Sequence, residues 1–191
     1  DLVKNKGFQL TLPLLRQAMA ALVYGDLLML LSNQVKPYET EKGQAMAMVE
    51  TWSQRLVQQF EQKSGYGKKE IAQNMGEIVR DFARIPVQLT PKVKVGVVGE
   101  IYVKYSKLGN NDLEGLLYRE DCEVMIPGVL NFVMYCIENN ITDVELYGGS
   151  PIKAMVAKKI MDYLCGIEKA MIDAVSQEPR FQAPSPFYHT K

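Results

Sequence analysis

Residue 92 separates two patterns of apolar spacing. After it, Val93, Val95, Val97 and Val98 form a short β-branched run, with Gly96 and Gly99 leaving room for close neighbours. A near-continuous apolar strand of this kind belongs in a parallel sheet covered on both faces. The residues beyond it alternate. Asn110 or Asn111 caps a helix with Asp112 and Glu114 in its first turn, where the helix dipole favours acids. "CEVMIPG" is a second strand that ends at Pro127 and Gly128, Val129 to Ile137 a helix, and "TDVELYGG" a third short strand. Ser150 and Pro151 then start a long helix with Ile152, Met155, Val156, Ile160, Tyr163, Leu164, Ile167, Met171 and Val175 on its apolar side. Strand, helix, strand, helix is the order of a right-handed parallel α/β unit. Two or three strands make a poor sheet, so further strands are expected from a longer chain.

The residues before 92 read as helical. Thr11 caps a helix that tolerates Pro13 in its first turn and runs through Leu31. "NQVKPYETEKG" is a connector broken by Pro37. A second helix runs from about Thr40 to Gln62, with Met46, Val49, Trp52, Leu56 and Phe60 on one face. "KSGYGKK" ends it, and a third follows with Ile71, Met75, Ile78, Val79 and Phe82 as its stripe. The fold class is therefore α/β. A helical segment over 1–90 precedes a partial parallel Rossmann/flavodoxin-like unit over 91–191 with a long C-terminal helix. The first residue, Asp1, and the tail "PSPFYHTK" read as the ends of a piece of a larger protein.

Charge excludes some partners. Twenty-two basic residues balance twenty-two acidic ones, which gives no electrostatic case for nucleic acid or an anionic membrane. The apolar-rich stretch Leu14 to Leu31 contains Arg16, Gln17, Gly25 and Asp26, which argues against a membrane span and for a helix buried on more than one side. Cys122, Cys136 and Cys165 are widely spaced, without a CxxC, and the single histidine is His189. Unpaired thiols of this kind fit a reducing cytoplasm and serve either as small apolar residues or as ligands. With no other histidine, and with Glu120, Asp121 and Glu138 scattered, hydrolytic chemistry has no support.

In an open parallel sheet, ligands sit beyond the carboxyl ends of the strands. The loop Ile101–Asn110 occupies that place and offers Tyr102, Lys104, Tyr105 and Ser106 beside a helix start, a setting for an anion. It is neither GxGxxG nor a Walker loop, and a capped turn explains it equally. Gly148 and Gly149 form a second corner, either for close backbone approach by a ligand or for a tight turn. Tyr38 and Glu39 sit beside a helix start as a cap and an exposed aromatic.

Over "KVGVVGEIYVKYSKLGNNDLEGLLYREDCEVMIPGVLNF" the chain resembles the 2-hydroxyacyl-CoA dehydratase D-component-like family, including long proteins that carry an activase domain. The resemblance rests on Gly99-Glu100-x-Tyr102-Val103, on Ser106-x-Leu108-Gly109-Asn110, on Pro127-Gly128, and on Lys36-Pro37-Tyr38-Glu39 with Gly43. Lys107 stands where the family has proline and Lys36 where it has arginine. The resemblance implies an anaerobic, cytoplasmic iron–sulfur system in which an ATP-dependent activase passes an electron to a dehydratase that removes water from a 2-hydroxyacyl-CoA. It implies a [4Fe-4S] cluster whose ligands lie outside this chain, since the three cysteines do not match the family's ligand positions. Gly99, Glu100, Tyr102, Tyr105, Ser106, Asn110, Gly148 and Gly149 are then the candidate wall of an acyl-CoA cleft, with no catalytic residue and no metal ligand assigned here. Two alternatives stand beside it, a non-catalytic docking scaffold for the activase and a small nucleotide- or CoA-binding module.

Overall fold

A computed structural model describes residues 11–189, with the backbone alone for His189. The readings that rest on Asp1 and on the His189 side chain lie outside the described residues. Helix α1 (Leu12–Val35) is the centre of the molecule, packed against α2 (Gln44–Glu61), α3 (Lys68–Ala83), α6 (Val129–Tyr147), α7 (Pro151–Ser176) and strand β2 (Glu123–Met125). The Thr11 hydroxyl accepts the Leu14 N–H at 3.3 Å and caps it. By length and composition alone α1 is apolar enough to cross a membrane. In this fold its residues Ala20, Val23, Tyr24, Leu27, Leu28 and Leu31 are buried in the core, on more than one side.

The α3 stripe is as the spacing predicts: Ile71, Met75, Ile78, Val79 and Phe82 are all buried. Helix α2 differs at its start. Gly43 adopts a left-handed φ of 99°, which delays the helix to Gln44, and Ala45 takes the buried position while Met46 is half exposed. Trp52 and Leu56 are buried as expected.

The strands are shorter than the valine run. β1 (Lys94–Gly96) pairs in parallel with β2, with Lys94 opposite Glu123, Val95 opposite Val124 and Gly96 opposite Met125. The expectation of a sheet covered on both faces fails for β1. Val93 is 67% and Val98 77% exposed, because α1 and α5 (Leu113–Arg119) pack on β2 whereas the main neighbour of β1 is β2 itself. Val97, Val124 and Ile126 form a small cluster of their own. The expected loop Ile101–Asn110 contains a short helix, α4 (Ile101–Tyr105). The strand expected in "TDVELYGG" is instead the end of α6, which runs unbroken to Tyr147. There Ile137, Ile141 and Val144 continue a three-to-four spacing toward α7, and this outweighs the alternation of Val144 with Leu146. The apolar side of α7 is buried only from Met161 onward; Ile152, Met155 and Val156 are exposed.

The chain is thus mostly helical with a two-stranded parallel sheet. One hydrophobic core joins α1, α2, α3, α6 and α7 across residue 90. Behind α7 the chain returns to α3, where the Arg180 guanidinium donates to the carbonyls of Ala83 and Ile85 at 2.9 and 2.8 Å.

Candidate functional site

The corner beyond the carboxyl ends of the strands is braced by its own side chains. Gly99 takes a φ of 136° that a side chain would strain. The Glu100 carboxylate then accepts the N–H groups of Tyr102 and Val103 at 3.0 and 3.3 Å. The helix start that would suit an anion is thereby filled by the chain's own anion. The Ser106 hydroxyl accepts the Gly109 N–H at 3.2 Å. Asn110 donates to the Val103 carbonyl at 2.8 Å and accepts the Leu113 N–H at 3.2 Å. It serves the start of α5 as expected, although Asp112 occupies the cap position itself, with a φ of 53°. The Tyr105 hydroxyl donates to the Pro127 carbonyl, joining α4 to the end of β2. Burial pushes its pKa up to about 12. Tyr102 is 55% exposed, and its ring lies where a Cβ on Gly109 would stand, 2.6 Å away.

The structure therefore brings Glu100, Tyr102, Tyr105, Ser106 and Asn110 into one corner. Gly148 and Gly149 lie elsewhere. They close the far end of the 19-residue helix α6, about 28 Å from Gly128 at 1.5 Å per residue. Their φ values of 79° and 159° make the turn into α7.

Behind the corner is a cleft of about 300 Å³ between α1, β2, α6, α7 and the segment 182–185. Three buried carboxylates line it, none of them among the candidates from the sequence. Asp26 accepts the Val129 and Leu130 N–H groups at 2.9 and 2.7 Å, so a side chain of α1 caps α6. Glu168 accepts the Phe187 N–H at 2.9 Å. Burial raises the pKa of both, against the pull of these backbone donors. Glu123 accepts the Tyr38 hydroxyl at 2.6 Å and pairs with Lys94 at 3.0 Å. Asp26 was visible as a lone acid in an apolar helix, and an acid so placed needs donors from elsewhere in the fold.

Compared with known proteins, the chain matches no family model, no curated protein and no solved structure.

The element Lys36-Pro37-Tyr38-Glu39 with Gly43 is a seam. The Lys36 ammonium lies 3.8 Å from the centre of the Tyr118 ring, and the Tyr118 hydroxyl donates to Asn33 at 2.7 Å. Glu39 accepts the N–H groups of Gly43 and Ala45 at 2.6 and 2.8 Å and so caps α2. Tyr38 reaches β2 through Glu123. Tyr38 thus ties the helical half to the sheet and Lys36 ties it to α5, while Glu39 fixes the start of α2 between them. Tyr38→Phe removes one donor from Glu123 and leaves Lys94, so it should lower stability by about 1–2 kcal/mol. Urea unfolding would read this as a lower midpoint at unchanged slope.

Among the described residues, no three His, Cys, Asp or Glu side chains are grouped to hold a metal ion. Cys122 precedes β2, Cys136 is exposed on α6, and Cys165 is half-buried on α7.

Proposed function

We propose that this chain is the central part of a longer 2-hydroxyacyl-CoA dehydratase-like or activase-related iron–sulfur protein of the cytoplasm. In this reading its two strands belong to a larger Rossmann/flavodoxin-like sheet. The corner after β1 walls a cleft for an acyl-CoA beside a [4Fe-4S] cluster held by cysteines outside this chain. The observation that carries the reading is that, among the described residues, the outer edge of β1 is open. The Val93 carbonyl and the Val97 N–H bond to β2, which turns the peptide groups of Lys94 and Gly96 outward. Val93 and Val98 stand exposed beside them. An unpaired parallel edge with apolar neighbours accommodates another strand.

A second reading, a non-catalytic docking scaffold for an ATP-dependent activase, is favoured by a different observation. Glu100, Ser106 and Asn110 all hydrogen-bond within their own corner, so their polar atoms stabilise a surface and leave none poised for chemistry.

The deciding test is an anaerobic iron and sulfide assay with a visible absorption spectrum on this chain and on the longer protein. A cluster on the longer protein alone supports the dehydratase-like reading. A cluster on neither favours the scaffold, and a cluster on this chain refutes the placement of its ligands elsewhere. In the longer protein, Tyr102→Ala should impair ligand binding or electron transfer while leaving the melting temperature nearly unchanged, since Tyr102 is more than half exposed. Equal activity with equal melting would remove Tyr102 from the cleft.

A further inference from the structure

A larger concavity, about 740 Å³, lies between the first turns of α1, the start of α3 and the middle of α7. It shares no lining residue with the cleft beside the strands. Leu12, Leu15 and Met19 line it from α1, and Val156, Ile160 and Tyr163 from α7. Each set recurs at three and four residues, so two helices turn apolar stripes toward open space. Leu12 is 61% and Val156 47% exposed. Residues 12–19 of α1 line this groove with residues 156–163 of α7, and residues 26–34 of α1 line the other cleft with Glu168 and Met171 of α7. The two helices therefore run in the same direction, and the groove has two distinct ends.

The end at Leu12 and Val156 is apolar. The other end gathers positive charge around Tyr163. The Lys68 ammonium lies 5.7 Å from the centre of the Tyr163 ring. Arg16 acts electrostatically on the same tyrosine, lowering a pKa that burial raises. Lys159 sits one turn before Tyr163 on α7. Among the described residues, no ion pair neutralises Arg16, Lys68 or Lys159. Glu70 is the one acid in the lining, and it accepts the Gly67 N–H at 2.8 Å. Glu70 thereby answers the positive end of α3 from its first turn, so the field at this end of the groove comes from the side-chain cations.

We propose that this groove binds a medium-chain fatty acid. Its carboxylate meets the Tyr163 hydroxyl, Lys68 and Arg16, and its alkyl chain lies along Ile160 toward Leu12 and Val156. The volume falls within the range of small-molecule sites, roughly 300–1,000 Å³. The rise from Val156 to Tyr163 is about 10 Å, a distance that an extended alkyl chain of medium length covers. The site is independent of the dehydratase-like reading and would survive its failure.

The test is isothermal titration of this chain with decanoate below its micelle concentration, with decanol as the uncharged counterpart. The expected result is one decanoate per chain, weakened by salt, and markedly weaker binding of decanol. Lys68→Glu places an acid in the first turn of α3, where the dipole favours it, so the variant should fold. It should weaken decanoate about fivefold, as for the loss of one partly exposed charge pair, and leave decanol unchanged. Val156→Lys, at an exposed position, should weaken both ligands by placing a charge in the path of the chain. The proposal is overturned by absent or unsaturable decanoate binding, by equal affinity for decanol, or by unchanged decanoate affinity in a folded Lys68→Glu variant.

Discussion

Asp26→Ala should cost about 2–3 kcal/mol of stability, the range for removing a charged, buried helix cap, and Gly128→Ala should cost a similar amount. The two costs should not add. Asp26 is 6% exposed and holds the first N–H groups of α6 from the middle of α1. Without it those donors stay buried with no acceptor. Gly128 has an ordinary φ of −63°, so the problem there is space. A Cβ at Gly128 would stand 2.5 Å from Oδ2 of Asp26 and 2.8 Å from its Cγ. The Asp26 carboxylate cannot swing aside while two backbone donors hold it. In the Asp26→Ala background the new methyl group meets no carboxylate, so the second substitution should cost much less, with a coupling of about 1–2 kcal/mol. Urea midpoints of the four proteins measure it, provided the slopes agree. Simple additivity would show that Gly128 is constrained by something other than Asp26. Asp26→Asn keeps one acceptor and should be the mildest change. Burial holds the Asp26 pKa above its ordinary value, so the native state keeps a proton that the unfolded chain releases. Between the unfolded and folded pKa values stability therefore falls as pH rises, and Asp26→Asn should flatten that slope.

This contact shows what the sequence could and could not reveal. The α3 stripe was legible because five apolar residues recur over 16 positions, and helix periodicity is a local property. The α1 cap was legible for the same reason, since Thr11 needs only Leu14. The end of α6 was misread because Val144 and Leu146 alternate like a strand. What decides the matter is Ile141 and Ile137, about one and two turns before Val144, which pack into the main core. The valine run predicted a covered strand, yet coverage depends on which helices pack against it. At the corner, Asn110 could be read as an acceptor for a helix start, because that partner lies three residues away. Glu100 was read as part of a cleft wall, and it is a cap for a helix of only five residues, too short to leave a periodic signal. Asp26, Glu123 and Glu168 have partners 104, 85 and 19 residues distant. No local pattern carries such pairings. The seam at Lys36–Gly43 lay between these cases: its residues were singled out, but their partners were not.

Raising the pH above about 10 should destabilise the fold steeply, the range in which an ordinary tyrosine ionises. Tyr24 is 1% exposed, and burial pushes its pKa up to about 12. Its hydroxyl donates to the Gly65 carbonyl at 2.7 Å and accepts from Asn74 at 2.9 Å. Asn74 in turn exchanges hydrogen bonds with Gln59 at 2.7 and 3.3 Å. The chain α1–α3–α2 thus closes through one phenol that must keep its proton to satisfy Gly65. Above pH 10 the unfolded chain releases that proton and the native state does not. The native state then binds more protons, and stability falls by about 1.4 kcal/mol per pH unit for this residue until the folded pKa is reached. Burial also raises Tyr38 and Tyr105 to about 12, and Tyr118 upward. Their slopes have the same sign, reduced by partial exposure. Tyr24→Phe should cost about 1–2 kcal/mol at neutral pH, because Gly65 loses its donor and Asn74 an acceptor. The same variant should lose less stability than the parent on going from about pH 9 to about pH 11.5. The two stability curves must therefore converge as pH rises. Curves that stay parallel would mean that Tyr24 ionises in the native state as freely as in the unfolded chain, and that the Tyr24–Gly65 bond does not hold the proton. Convergence would assign the alkaline lability to this network, since every other tyrosine is present in both proteins.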